Sequence, residues 1–268
     1  MDFFLAFSFL QENKTYLTQL ITYLNNYSVK CVIKQKHIIV SSSKKTITLS
    51  FNEGNNDNNT TNNHLTFPLD YIINQPEKTA SILLSKLNLN KTIFARNCSI
   101  KKLDKTSSTD FFNQWHFFNS AKSVHNYGLF YNNELIGAAA FSKGRKMNRL
   151  QTGLLSFELI RFCCKSGITV SGGLSKLMAH FCEEKKAGDV MTYIDKQFSD
   201  GSSFIKAGFV KHSEKAPLHF IINKKTFERT LIRENEPFDK NMFYDAKNSG
   251  NIKLIYTPKN KLKPLLKL

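Results

Sequence analysis

No apolar run in this 268-residue chain approaches the roughly 18 residues that cross a bilayer. The apolar opening, Met1 to Leu10, resembles a signal-peptide core. It lacks a basic start, carries Asp2 and has no convincing small-x-small cleavage site, so it is read as a buried strand or helix start of a cytoplasmic protein. Cysteine is too scarce and too irregular for a disulfide framework. The five residues, Cys31, Cys98, Cys163, Cys164 and Cys182, form no C-x-x-C, and two are adjacent in an apolar run. Reduced, buried thiols are the expectation. No His or Cys pair has ligand spacing, so no metal site is expected. No internal repeat, zinc finger or helix-turn-helix is visible.

Acidic residues are also scarce: 38 Lys and Arg face 21 Asp and Glu, a net charge of +17. The excess is uneven, +2 over residues 1–90 and +15 over residues 91–268. Such a field suits DNA, RNA or a phosphorylated cofactor. The alternative is an incidental basic surface from a Lys- and Asn-rich composition, and charge alone does not separate the two. Hydrophobic residues make up 41%, with 23 Phe, enough for a packed core.

Three segments are expected. Residues 1–90 read as a small α+β module of unassigned role: a helix over Thr15 to Tyr27, a hairpin of Lys30 to Ser41 with Lys45 to Phe51, an Asn-rich loop from Asn52 to Asn63, and a helix from Asp70 to Leu87 broken near Pro76. Residues 91–223 alternate strand and helix. Thr92 to Lys101 reads as a strand, and Ser108-Thr109-Asp110 as the cap of a helix Phe111 to Asn119. Asn126 to Tyr131 and Leu135 to Phe141 form a hairpin about Asn132-Asn133. Strands over Leu154 to Cys164 and Val190 to Asp195 flank a helix Leu174 to Lys186, and a short helix precedes a strand pair around Phe209 to Ile222. Residues 224–268 read as a basic extension.

The densest signal is Ser171-Gly172-Gly173-Leu174-Ser175-Lys176, two glycines between a strand and a helix. Such a turn lets an anion approach the first helical N–H groups. Downstream lie Tyr193-x-Asp195, Ser199-x-Gly201 and a short helix ending in Gly208-Phe209. Upstream lies Phe157-Glu158-Leu159-x-Arg161-Phe162-Cys163. In this order the motifs resemble the GNAT N-acetyltransferase superfamily over about residues 92–223. They are most similar to the GNAT-like domains of phage Mom-type DNA modification proteins and of phage homing endonucleases. Trp115-His116 falls where that group tends to have an Asn-His pair.

The resemblance implies a GNAT-like central mixed sheet flanked by helices, α+β in class, with the N-terminal module added. It implies acetyl-CoA or another acyl-CoA as cofactor, with the pyrophosphate held by Ser171, Gly172, Gly173, Leu174, Ser175 and Lys176. It implies pantetheine lodged between splayed strands, Leu154 to Cys164 and Val190 to Asp195, and transfer of the acyl group to an amine. Two departures stand out. Phe204 occupies the place of a Tyr that many such enzymes use to protonate the leaving thiolate, and the turn departs from the commoner Gln/Arg-x-x-Gly-x-Gly/Ala.

Glu158 and Arg161 interrupt an apolar strand and would point to opposite faces unless a bulge intervenes. Glu158 is a candidate general base, with burial raising its pKa, or else half of a buried ion pair or a residue exposed at a strand end. Asp195, at a strand's C-terminal end, is a candidate base and forms with Ser199 and Asp200 a polar cluster that could bind the acceptor or shuttle a proton; the alternative is a helix cap by Ser199 or Asp200, the preferred reading for Ser199 alone. Tyr193 could replace the missing phenol or lie in the core. His116 is a catalytic candidate only by resemblance; a core histidine is the alternative. Lys143, Arg145, Lys146 and Arg149 form a basic loop suited to nucleic-acid phosphates, or simply to solvent. Three functions compete: an N-acyltransferase acting on an amine, perhaps of nucleic acid as in DNA modification; an inactive GNAT-like module that binds nucleic acid; and a small-molecule or protein N-acetyltransferase. Oligomeric state is unassigned.

Overall fold

The computed structural model describes residues 14–34, 37–52 and 64–258. The apolar opening Met1 to Leu10, residues 53–63 of the Asn-rich stretch and the lysines from Lys259 onward lie outside these residues. The chain divides into two compact units, residues 1–90 with 216–250, and residues 91–215 with 251–268.

The first unit opens with α1 (Lys14–Asn25), followed by β1 (Lys30–Lys34), β2 (His37–Ser41), β3 (Thr46–Asn52), β4 (His64–Pro68), α2 (Leu69–Asn74) and α3 (Pro76–Lys86). The stretch read as one strand from Lys30 to Ser41 is two antiparallel strands, with Lys34 opposite His37. Leu17, Leu20 and Leu24 recur at helical spacing on α1 and are buried, as are Ile38 and Val40 on β2 and Ile47 and Leu49 on β3. Pro76 starts α3 at a position where its missing N–H costs nothing.

In the second unit β5 (Lys91–Phe94) and β6 (Ser99–Lys102) replace the single strand expected over Thr92 to Lys101, with a 3-10 turn at Ala95–Asn97 between them. Then come α4 (Lys105–Trp115), β7 (His125–Tyr131), β8 (Glu134–Phe141), β9 (Ser156–Cys164), β10 (Ile168–Ser171), α5 (Gly173–Lys185), β11 (Asp189–Asp195), α6 (Ser202–Lys206) and β12 (Phe209–Lys215). Residues 216–250 carry β13 (His219–Asn223), β14 (Arg229–Ile232) and β15 (Phe243–Lys247) of the first unit, and β16 (Asn251–Tyr256) returns to the second.

Seven strands form one mixed sheet in the order β12-β16-β11-β9-β8-β7-β6; all neighbours are antiparallel except β9 and β11. This is a GNAT-like α+β architecture with an additional N-terminal module. One face carries α5, whose Leu174, Leu177, Met178, Phe181 and Cys182 recur at helical spacing and are buried against Tyr127, Leu129, Phe141, Phe157, Leu159 and Val190. Phe181 stacks flat on Phe141 with ring centroids 3.7 Å apart. The other face carries α4, where Phe111 and Phe112 pack on Ala138 and Ala140. Coverage on both faces explains why β8 is buried from Ile136 to Phe141 and why it is built of small residues.

Several expectations are corrected. Helix α4 begins after Asp104, whose carboxylate accepts the Ser107 N–H at 2.8 Å and the Ser107 hydroxyl at 2.7 Å, so Ser108-Thr109-Asp110 lies inside the helix. These Ser107 bonds hold the Asp104 carboxyl below the usual carboxylate range. Strands β12 and β13 do not pair: β12 lies on β16, and β13 sits between β14 and β15. Residues 224–256 are therefore not an unpatterned extension. The three-stranded sheet joins the N-terminal module through Arg229, whose guanidinium forks onto the buried Asp70 carboxylate at 2.7 and 2.8 Å and lies 4.5 Å over the Tyr71 ring. All five cysteines are free; Cys98 and Cys182 are buried, and Cys31, Cys163 and Cys164 half-buried.

Candidate active site

The parallel ladder between β9 and β11 is short. It pairs Asp189 with Ser156, Val190 with Phe157 and Met191 with Glu158, and then ends. On its other side β11 stays paired with β16 as far as Asp195. Beyond Met191, then, β11 remains in the sheet but leaves β9, and the two strands splay. At the fork the buried Thr192 hydroxyl donates to the Leu159 carbonyl at 2.9 Å, filling a ladder position the neighbouring strand vacates. A wedge between parallel strands offers unpaired backbone groups to an extended ligand carrying amides, as pantetheine does.

A bulge sits at the same fork. The register of β8 on β9 passes from Ala140 opposite Arg161 to Phe141 opposite Leu159, so Ile160 is the extra residue. Phe157 and Leu159 face the α5 core, and after the extra residue Phe162 and Cys164 do so again. Glu158 and Arg161 consequently share the opposite face, as the bulge alternative required. The burial pattern of β11 places Met191, Tyr193 and Asp195 on that face too, since Val190 and Ile194 point into the core.

Arg161 is committed to backbone. Its Nε donates to the Asn119 carbonyl at 2.9 Å, one terminal nitrogen to the Ile160 carbonyl at 2.9 Å and the other to Phe118 at 3.4 Å. Burial lowers its pKa, while the Glu158 charge acts to raise it. These carbonyls belong to the segment after α4, which stops at Trp115 and does not reach the Asn119 expected. The released segment lays Phe117 on Phe198 (centroids 4.6 Å apart) and Phe118 beside it (5.7 Å). His116, the residue that ends α4, accepts the Phe118 N–H on Nδ1 at 3.1 Å. Its ring is thus an acceptor that shapes the turn, and it is half-buried and not part of the buried core.

The glycine turn opens α5 directly. Gly172, at the N-cap of α5, has φ of 76°, a left-handed conformation that favours glycine, and no side chain caps the helix. The first N–H groups of a helix have no intrahelical acceptor. Here Gly173 and Leu174 are buried while Ser171, Gly172 and Ser175 are exposed. Leu174 packs in the core, so only its N–H is left for a ligand. Lys176 is placed differently from the expectation that it adds charge at the turn. Its ammonium donates to the carbonyls of Ala95 (2.9 Å) and Cys98.

Other candidates resolve individually. Tyr193 is 41% exposed and not a core residue. Asp195 accepts the Gln197 N–H at 2.9 Å, fixing the turn after β11. Ser199 and Asp200 accept the N–H groups of Gly201 and Ser202 in turns that lead into α6, whose N-cap is Gly201 and not either of the two residues expected to cap it. Phe204 is half-buried and meets Phe209 edge-on at 5.6 Å. Arg149 is drawn out of the basic loop: it forks onto the buried Asp189 carboxylate at 2.8 and 3.1 Å and reaches the Ser156 hydroxyl at 2.9 Å, clamping the starts of β9 and β11. Lys143, Arg145 and Lys146 are exposed. Thr192, Phe117, Phe118 and Phe198 escaped the sequence reading. A Thr at a buried position of a strand was the one local signal; the Phe contacts span some eighty residues and leave none.

No family model and no curated protein matches the chain. Among solved structures it is similar to a GNAT family acetyltransferase from Elizabethkingia anophelis with acetyl-CoA bound, at 15% identity and TM-score 0.36, over 60% of this chain and 99% of that one. It is similar to the ribosomal-protein-S18-alanine N-acetyltransferase of Escherichia coli, at 11% identity and TM-score 0.37, over 60% and 93%. A third is a dodecameric spermidine N-acetyltransferase from Vibrio cholerae, at 10% identity and TM-score 0.38, over 63% and 98%. At identities and scores this low the likeness carries no weight on activity.

Proposed function

We propose that the second unit binds an acyl-CoA in the wedge between β9 and β11 and transfers its acyl group to an amine. The observation that carries this reading is the abrupt end of the β9–β11 ladder at Glu158 and Met191, with an uncapped glycine-led helix opening shortly after β9. Pantetheine would extend along the wedge, and the pyrophosphate would take the first N–H groups of α5. The thioester carbonyl would meet backbone N–H groups near the bulge, where developing negative charge is best stabilised. Glu158, at the fork and half-exposed, serves as base for the acceptor amine. Tyr193, exposed on the same face one step along the neighbouring strand, supplies the phenol that Phe204 lacks. Asp195 orders the turn below it.

The acceptor we propose is an amine carried on nucleic acid. Its support is the net charge of +17 and the exposed Lys143, Arg145 and Lys146. Phe204 favours a second reading, in which the wedge keeps the cofactor but chemistry is lost and the basic surface binds nucleic acid. Both readings are tested by release of free thiol from acetyl-CoA in the presence of oligonucleotides, polyamines or peptide amines. The first requires release with oligonucleotides and a fall of about 10²–10⁴-fold in Glu158→Gln, with acetyl-CoA affinity retained; release with polyamines or peptide amines alone would overturn the nucleic-acid acceptor. Binding of acetyl-CoA without release in any class would overturn transfer and leave the second reading.

A further inference from the structure

Beside the glycine turn lies a pair of exposed side chains that the proposed function does not use. Strand β10 pairs in parallel with β5, with Ser171 opposite Phe94. Val170 and Ile93 are buried, so Ser171 and Phe94 face outward together. Phe94 is 49% exposed. The Arg96 guanidinium lies 4.9 Å over its ring, and among the described residues no carboxylate is paired with Arg96. A large apolar ring left in solvent, with an uncompensated cation stacked on it, offers a planar surface and a phosphate ligand in one place.

This pair is held to the opening of α5 by three separate links. The first is the strand register just given. The second is close packing: a Cβ built on Gly172 would lie 3.6 Å from the Ala95 Cβ, in the residue between Phe94 and Arg96. The third is Lys176, whose ammonium donates to the carbonyls of Ala95 and Cys98. Lys176 therefore acts as a tie that fixes the 95–97 turn against the first turn of α5. Lysine at the pyrophosphate turn was expected to bind phosphate. Its use as a tie leaves Arg96 as the cation presented to solvent.

We infer that Phe94 and Arg96 form the subsite for a purine nucleotide carrying a further phosphate, the adenosine 3′-phosphate end of coenzyme A. The purine lies on the Phe94 ring, and Arg96 takes the phosphate. The inference rests on the proposed acyl-CoA reading, since it takes the pyrophosphate to sit at the α5 opening. The subsite distinguishes coenzyme A from its 3′-dephospho form by charge and from 4′-phosphopantetheine by stacking.

The test is calorimetric titration of the full chain, as wild type, Phe94→Ala, Arg96→Gln and Arg96→Lys, with coenzyme A, 3′-dephospho-coenzyme A and 4′-phosphopantetheine. Both positions are exposed, so the variants should keep the wild-type melting profile. Arg96→Gln should weaken coenzyme A about 10-fold and leave the dephospho form unchanged, with Arg96→Lys in between. Phe94→Ala should weaken both nucleotide forms by about 5- to 150-fold, the range for a stacked base, and leave 4′-phosphopantetheine unchanged. A wild type that binds coenzyme A but shows no change in either variant would overturn the subsite alone. A wild type that binds none of the three would overturn the acyl-CoA reading and the subsite with it.

Discussion

Gly172 and Gly173 are adjacent, yet the structure needs glycine at each for a different reason, and substitution separates the two. At Gly172 the backbone is the reason. Its φ of 76° is left-handed, while a Cβ there would meet only the Ala95 Cβ at 3.6 Å, an ordinary contact. Gly172→Ala should therefore cost about 1–2 kcal/mol for the left-handed conformation alone. Gly172→Asn should recover most of it, because asparagine visits that region readily. At Gly173 space is the reason. A Cβ would lie 3.0 Å from the Leu129 Cδ1 and 3.0 Å from two Val170 side-chain atoms. Leu129 is held in register with Gly137 and Val170 with Ile93, so neither backbone moves easily. Overpacking of this kind costs about 1–3 kcal/mol, and the gain in helix propensity from alanine offsets roughly 0.5–1 of it. Each loss of about 1 kcal/mol lowers Tm by roughly 2–4 °C in a domain of this size, which thermal unfolding by circular dichroism resolves. Equal losses for Gly172→Ala and Gly172→Asn would refute the backbone argument. An unchanged Tm for Gly173→Ala would refute the packing argument.

Two further perturbations probe the frame around the wedge. Asp189→Asn leaves Arg149 without its partner where the Asp189 side chain is only 4% exposed, and should cost about 3 kcal/mol in urea unfolding; a loss below 1 kcal/mol would mean the clamp is not structural. His125 lies edge-on to Phe157, and burial, followed by the Lys185 charge, pushes its pKa below the ordinary 6.5. The unfolded chain binds that proton more readily, so this contribution to stability is complete above pH 6.5 and is lost as pH falls through the lowered value. Urea unfolding at pH 7.5 and 5.5 should show a smaller difference for His125→Phe than for wild type, and an equal difference would exclude His125 as the titrating group.

Much of the second unit was legible because its signals are local. Leu174, Leu177, Met178, Phe181 and Cys182 mark the buried face of α5 at helical spacing, and Asn132-Asn133 marks the β7–β8 turn, where both residues have positive φ. Glu158 and Arg161 in an apolar run would face opposite ways unless a bulge intervened, and one does. What stayed hidden depends on partners distant in sequence. Asn251 to Tyr256 alternates half-buried and buried positions like any strand, but its pairing with β11 and β12 bridges an inserted sheet, and its lysine made it read as tail. Arg149 looked like a surface cation because its buried partner, Asp189, is 40 residues away. Lys176 likewise reaches carbonyls 81 and 78 residues upstream. The cap at Asp104 was overlooked for a more conspicuous Ser-Thr-Asp that lies inside the helix, where Ser108 is buried.

The central claim is that the opening of α5 holds the pyrophosphate of an acyl-CoA. Calorimetric titration with acetyl-CoA and with desulfo-CoA, on wild type and on Ser175→Glu, tests it most directly. Ser175 is exposed in the first turn of α5, where a carboxylate favours the helix but repels a bound phosphate. The account predicts saturable binding of both compounds by wild type and loss of binding in Ser175→Glu with Tm maintained. Absence of binding by the wild type, or undiminished affinity in Ser175→Glu, would contradict it.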